Sequence, residues 1–190
     1  MNDLNPRGFG CFRNLLLIDH DDSFTQNLGH WLIQGFGSVP RLINFRQWRP
    51  SFLQPCDLLV LSPGPGHPLD YPWIHDLSSS SCPILGICLG MQMLHVLTQG
   101  NVSPLDKPRH GKTRLIFLEQ KVREVGAYHS LHCQGPMPAF AVARDTLGTV
   151  QVLRHRVRPW LGFQFHPESF LTREPDFWSR YVKKQLFALD

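Results

Sequence analysis

Residues 82–92 read Cys-Pro-Ile-Leu-Gly-Ile-Cys-Leu-Gly-Met-Gln. Residues 83–87 form a short, nearly all-apolar run, as expected of a strand buried on both faces. From Leu89 onward, Met91, Met93, Leu94 and Leu97 recur at helical spacing. Cys88 sits between the two patterns, with a glycine two residues before it and another two after. This is the pattern of a sharp strand-to-helix turn that presents a nucleophile. Gly86 and Gly90 carry no Cβ, so backbone can pack close to a bend that few side chains would tolerate. The bend sets the sulfur at a helix N-terminus, where unpaired N–H groups favour the thiolate, the reactive form. A lone cysteine in an α/β core is more often a small apolar filler. What separates the two readings is a partner base elsewhere in the chain.

Outward from this turn, the chain alternates strands and helices. Residues 14–18 read as a first strand. Asp22 or Ser23 is placed to cap a helix with Phe24, Leu28, Trp31 and Leu32 on its apolar stripe, and Gly35 and Gly37 mark its end. Residues 39–45 and 57–61 read as further strands, the second a continuous apolar run. With no hairpin turn between them, these strands predict a parallel sheet covered by helices. Short strands follow at 114–118, 139–144, 150–153 and 161–165, with Gly148 in a turn, and residues 174–186 read as a closing helix with Phe177, Tyr181 and Leu186 inward.

Two segments offer chemistry to the thiol. Residues 62–68, Ser-Pro-Gly-Pro-Gly-His-Pro, make a stiff loop at the end of a strand. Ligands of open α/β sheets bind beyond the carboxyl ends of strands, so this loop and Cys88 are placed to share a crevice. Its N–H groups and that of Leu89 could form an oxyanion hole. Residues 166–169 are His-Pro-Glu-Ser. Residues i and i+2 of an extended segment point the same way, so His166 and Glu168 project together. Glu168 then orients the imidazole and leaves its other nitrogen for Cys88. His129, His132 and Cys133 are of zinc-ligating type, but no fourth clustered ligand accompanies them, and no metal site is expected. Arg154, Arg156 and Arg158 alternate along what reads as one strand face. No nucleic-acid-binding motif or aromatic platform goes with them, so no nucleic-acid partner is expected.

Composition bounds the class. The 190 residues suit one domain over 14–190 behind a loose arm over 1–13, and 42% hydrophobic with 18% charged residues is a globular balance. No apolar run approaches the ~20 residues of a membrane span, and residues 15–18 are too short for a signal-peptide core. No membrane association and a cytoplasmic location are expected. The five cysteines are odd in number and scattered, unlike a disulfide framework or paired metal ligands. A net charge of +4 selects no particular partner.

Taken together, the chain resembles the class I (triad) glutamine amidotransferases, and in particular the glutaminase subunits of anthranilate and aminodeoxychorismate synthases. The resemblance covers residues 14–173. It rests on 19–28 (DHDDSFTQNL), 62–68 (SPGPGHP), 86–92 (GICLGMQ), 110–113 (HGKT), 128–131 (YHSL), 154–156 (RHR) and 162–169 (GFQFHPES). It implies a three-layer, flavodoxin-like α/β fold with a mostly parallel, mixed seven-stranded sheet. It also implies a Cys88–His166–Glu168 triad, an oxyanion hole from Gly64, Pro65, Gly66 and Leu89, and glutamine held by Gln92 and the Ser130–Leu131 backbone. The implied reaction is hydrolysis of L-glutamine through a glutamyl thioester, with ammonia passed to a larger chorismate-binding synthase subunit in a heterodimer or higher assembly. No cofactor is expected on this chain, and His110, Lys112 and Thr113 are the candidate partner surface. Met91 stands where this branch usually has histidine, His20 replaces the usual asparagine, and the stretch between Thr113 and Tyr128 looks shorter than in relatives. The competing readings are a glutaminase for another synthase, such as imidazole glycerol phosphate synthase, a non-catalytic regulatory module on the same fold, and a stand-alone hydrolase of γ-glutamyl compounds.

Overall fold

A computed structural model describes residues 12–187. Most of the arm expected over 1–13 lies outside them, but its last two residues belong to the domain. Phe12 packs its ring on Phe36 and Phe187, and the backbone N–H of Arg13 donates to Asp57 Oδ2 at 2.8 Å.

Seven strands form one sheet: β1 (Leu15–Asp19), β2 (Arg41–Asn44), β3 (Leu58–Leu61), β4 (Ile84–Ile87), β7 (Phe140–Arg144), β8 (Val150–His155) and β9 (Trp160–Phe163). Their order across the sheet is β2-β1-β3-β4-β9-β8-β7. The first five are parallel, and β8 and β7 continue antiparallel. This is the mixed seven-stranded sheet that the resemblance implies, where the residue pattern alone predicts a parallel one.

The continuous apolar runs have a direct cause. Leu15, Leu17, Leu58, Val60, Leu85 and Ile87 face helices α1 (Thr25–Phe36) and α3 (Pro175–Phe187). The alternate residues Leu16, Ile18, Leu59, Leu61 and Ile84 face α2 (Leu89–Val96) and the 3-10 turns over 68–79. A strand covered on both faces has no position to spare for a polar side chain. Helix α1 runs to Phe36, one residue past Gly35, and Gly37 closes it in the left-handed region. Its start carries no side-chain cap; Asp22 Oδ1 instead accepts the N–H of Phe24, just ahead of the helix.

The sequence reading fails over residues 101–134. A short strand over 114–118 is expected there. The chain instead forms a long antiparallel ribbon, β5 (Asn101–Leu118) with β6 (Lys121–Gln134). Pro104, Pro108 and Gly111 interrupt the pattern, and register shifts fall beside them. Much of the ribbon has solvent on one or both sides, so little apolar alternation marks it. Asp145, fully buried beside the β7–β8 turn, accepts Arg109 Nη1 at 3.1 Å and so ties the ribbon to the sheet.

The arginines at 154–158 do not share a strand face. β8 ends at His155. Arg154 reaches the carbonyls of His155, Arg158 and Gln185, Arg156 reaches that of Pro138, and Arg158 reaches that of Ser78 and lies over Trp160. These guanidinium groups bind backbone carbonyls of the protein itself.

Candidate active site

Strands β1, β3, β4 and β9 all end at the same edge of the sheet, and their following loops meet there. The turn after β4 is as tight as its glycines imply. Cys88 sits at φ 52°, ψ −103°, outside the regions an L-residue prefers, directly before α2. A Cβ at Gly86 would stand 2.4 Å from the carbonyl of Gly90, and one at Gly90 would stand 2.5 Å from the carbonyl oxygen of Leu61. Both partners are backbone and cannot move aside, so only glycine fits. Such a strained nucleophile conformation costs about 1–3 kcal/mol, which the surrounding packing must offset.

The pairing of β4 with β9 brings the segment that carries His166 to the cavity at Cys88. Ile87 is registered against Phe163, and the Cys88 N–H donates to Phe163 O at 2.7 Å. The chain then continues to Gln164 and His166. His166 Nδ1 lies 2.7 Å from Glu168 Oε1, with both side chains buried. Their contact is the expected one, but the local geometry is not. Residues 167–168 turn rather than extend, and the Ser169 N–H donates to His166 O at 3.2 Å. The carbonyl of Gly126 on β6 accepts the His166 N–H at 3.1 Å, and the rings of Phe24 and Tyr128 stand edge-on to the imidazole at 4.9 and 5.1 Å.

His166 Nε2 and Glu168 Oε2 are buried without hydrogen-bond partners. Burial alone would push the imidazole toward its neutral form. The carboxylate of Glu168 and the Cys88 sulfur outweigh it, and the pKa of His166 is raised to about 10. The geometry therefore favours an imidazolium beside the sulfur.

Among the described residues, two cavities open on Cys88. One, of about 470 Å³, is lined by Asp21, Asp22, Ser23, Phe24, Pro63, Gly64, Pro65, His110, Tyr128 and His166. The other, of about 190 Å³, is lined by Gly64, Pro65, Gly66, Leu89, Gln92, His110, Tyr128, His129, Ser130 and Leu131. The second thus gathers every residue expected to hold the oxyanion or glutamine. It is smaller than the ~300 Å³ at which drug-sized pockets begin, a size that suits an amino-acid side chain. Leu89 is the first residue of α2, so helical bonding leaves its N–H unpaired. Gln92 Nε2 bridges to Leu131 O at 3.2 Å and to Gln164 Oε1 at 3.1 Å.

The expected partner residues divide. His110 lines both cavities, its Nε2 3.0 Å from Ser130 Oγ, and so belongs to the rim of the site. Lys112 and Thr113 stand exposed farther along β5. His129, His132 and Cys133 do not converge: His129 Nδ1 meets Leu131 O, His132 meets Gln134, and Cys133 lies in a core cluster with Met91 and Val102. Among the described residues, no group of three or more potential ligands is placed to hold a metal.

Sequence reasoning missed three contributors. Gln164 Nε2 reaches Cys88 Sγ at 3.6 Å. Phe24, read as part of a helix stripe, packs on the His166 imidazole. His20, noted only as a departure, is buried beneath the 62–66 loop. Its Nδ1 lies 3.1 Å from Ser62 O and can only donate to that carbonyl, so Nε2 is left bare among Tyr71, Trp73 and Phe45. A Cβ at Gly64 would strike His20 Cβ at 2.5 Å, which shows how closely the loop is seated. None of the three left a sequence signal of its contacts, which depend on how the strands and loops pack.

His20 also predicts a pH dependence of stability. Desolvation lowers the pKa of His20, and likewise that of His129, to about 4. Unfolded, each ring titrates near 6.5. Between pH 6.5 and 4 the unfolded chain therefore binds more protons, and stability falls as pH falls through that window. Each ring contributes at most about 1.4 kcal/mol per pH unit. His20→Asn keeps a donor for Ser62 and is expected to flatten the slope by about one proton. Urea unfolding at several pH values between 6.5 and 4.5 measures this; equal slopes for the two proteins would show that His20 is not held neutral.

Fold and site together define a class: an α/β protein with a thiol at a strand-to-helix turn and a histidine–carboxylate pair beside it, the equipment of acyl transfer through cysteine. Residues 16–184 match the family described as glutamine amidotransferase class-I, and the chain belongs to that family. It is 38% identical to an aminodeoxychorismate synthase of Streptomyces griseus over 84% of this chain and 24% of that one. It is 35% identical to an anthranilate synthase of Azospirillum brasilense over 88% of this chain and 25% of that one. The chain thus spans about a quarter of the length of these two relatives. With an anthranilate synthase component 2 of Thermococcus kodakarensis it shares 36% identity over 83% of this chain and 88% of that one. Among solved structures, a Thermoplasma acidophilum protein described as a GMP synthase A subunit superposes with a TM-score of 0.75 at 22% identity, over 88% of this chain and 92% of that one. A glutamine amidotransferase of Methylobacillus flagellatus gives 0.66 at 20% identity, over 82% and 71%. At such identities the superpositions speak to the fold.

Proposed function

We propose that this chain hydrolyses L-glutamine and delivers the ammonia to a larger synthase subunit that holds chorismate. The observation that carries the reading is the cavity at Cys88, which collects the 64–66 loop, Leu89, Gln92, Ser130 and Leu131 around one sulfur. In this reading the Cys88 thiolate attacks the side-chain carboxamide of glutamine. The N–H groups of Leu89 and the 64–66 loop hold the developing oxyanion. The His166 imidazolium gives its proton to the departing ammonia. The neutral ring then takes a proton from water, which attacks the glutamyl thioester and releases glutamate. Glu168 orients the ring throughout, and Gln92 with the Ser130–Leu131 backbone seats the substrate.

The chorismate-using partner is supported by the names of the relatives, which are synthases of anthranilate and aminodeoxychorismate. Met91, the departure that pointed to other branches, is fully buried and covers Gly162, where a Cβ would meet its Cγ at 2.5 Å. It is a packing residue and does not favour another synthase. A regulatory module without activity is disfavoured by the intact contact between His166 and Glu168 at the sulfur's edge of the sheet.

Free ammonia is mostly protonated near neutral pH, so an uncoupled glutaminase would waste its product. Weak hydrolysis by the chain alone and a large rise on adding the synthase subunit are expected. Lys112 is exposed beyond the rim residue His110, and a basic side chain there speeds encounter with an acidic partner face. Lys112→Glu is expected to right-shift the stimulation curve while leaving basal turnover unchanged. The measurement is glutamate release against added synthase subunit at two salt concentrations. A full rate without partner would favour a stand-alone hydrolase, and superimposable curves would remove Lys112 from the interface.

A further inference from the structure

Cys56 and Cys82 are 26 residues apart in sequence, yet their sulfurs stand 2.7 Å from one another. Both are free thiols. Cys56 lies just before β3 and Cys82 just before β4, two neighbouring parallel strands. They occupy the feet of these strands, at the sheet edge opposite Cys88. Hydrogen bonds hold the chain beside the pair. The Leu59 N–H donates to Pro83 O at 2.9 Å, and the Cys82 N–H donates to Ser80 Oγ at 3.0 Å. Bringing the sulfurs to the covalent separation of ~2.05 Å needs a movement of less than 1 Å.

We propose that Cys56 and Cys82 form a redox-active dithiol that closes to an intramolecular cystine. This site is separate from the proposed glutaminase centre and does not depend on it. Cys56 is the partly exposed member and Cys82 is only 5% exposed, so a peroxide in solution meets Cys56 first. The hydrogen bond to Cys56 and burial both raise the Cys82 thiol, which keeps it protonated and in waiting. The Cys56 thiolate attacks the peroxide oxygen, releasing an alcohol, or water from hydrogen peroxide, and becomes a sulfenic acid. The Cys82 sulfur displaces water from that sulfenic acid and forms the S–S bond. In sum, two thiols and one hydroperoxide give one cystine, one alcohol and one water. Thiol–disulfide exchange with a reduced dithiol reverses it.

The cystine would bracket the segment that contains β3 and the 62–66 loop. It therefore constrains the unfolded chain there, while the Cys88 thiol at the far edge stays out of the bond.

The test uses the whole chain, reduced and then exposed to a slight excess of hydrogen peroxide. Remaining thiols are alkylated and the protein is digested without reductant. The expected result is one peptide pair joined through Cys56 and Cys82 and abolished by dithiothreitol. An unfolding midpoint raised on the order of 5 °C over the reduced protein is also expected, and Cys56→Ser should show neither change. Recovery of Cys56 and Cys82 as alkylated thiols while Cys88 is oxidised would overturn the proposal, as would linkage of Cys56 to a second chain.

Discussion

Cys88→Ala is expected to reduce glutamine hydrolysis by about 10⁴-fold or more, to background, because nothing else at the site can form the thioester. Alanine keeps the Cβ that the φ of 52° already accommodates, so the turn gains no new strain and the protein should fold. In complex with a synthase subunit, the variant should still support synthesis from added ammonium, since the thiol serves only to release ammonia. Glutamate release and ammonia-dependent product formation measure the two halves separately. Persistent glutamine hydrolysis would sink the assignment of Cys88. A glutamine-analogue electrophile should in turn label Cys88 and spare Cys11, Cys56, Cys82 and Cys133, none of which stands in a G-x-C-x-G stretch.

His166→Ala is expected to cost the proton transfers, worth about 10²–10⁴ in rate. Glu168→Gln should cost less, because glutamine keeps an oxygen toward Nδ1 and removes only the charge. The sign of its pH effect follows from the cause of the shift. The Glu168 carboxylate raises the pKa of His166, so a neutral side chain lets it fall. The acid form needed for ammonia departure is then lost at lower pH, and the alkaline limb of the rate profile moves downward. Rates of both variants across pH 6–10 test this. A loss from Glu168→Gln as large as that from His166→Ala would mean that Glu168 touches the reacting atoms directly.

The elements that sequence reading placed well share one physical property: their cause is local. Residues 84–87 and 58–61 are apolar at every position because both faces of those strands are covered. Gly86 and Gly90 announce their turn because backbone stands within 2.5 Å of where their Cβ atoms would be. The His166–Glu168 pair is close in sequence and meets in space, although in a turn rather than on an extended segment. The long ribbon of β5 and β6 was illegible for the opposite reason. Its prolines interrupt the pattern, and its stability comes from pairing across strands and from Asp145 beneath it. The arginines at 154, 156 and 158 alternate as a strand face would, yet the strand ends at His155 and carbonyls far along the chain capture Arg154 and Arg156.

By itself, then, the sequence determined the strand-to-helix turn at Cys88, the parallel character of the sheet's first five strands, the 62–68 loop and the contact between His166 and Glu168, because spacing and residue type act over a few residues. Only the tertiary structure decided that β4 lies beside β9, although the ribbon, β7 and β8 intervene in sequence. That adjacency places Gln164 against the Cys88 sulfur and His166 at its cavity. It also decided that His20 supports the 62–66 loop, that Phe24 and Tyr128 pack edge-on to the imidazole, and that Cys56 meets Cys82. These contacts join residues distant in the chain, and their partners are selected by the packing of whole strands and helices, which leaves no periodicity in the residues themselves.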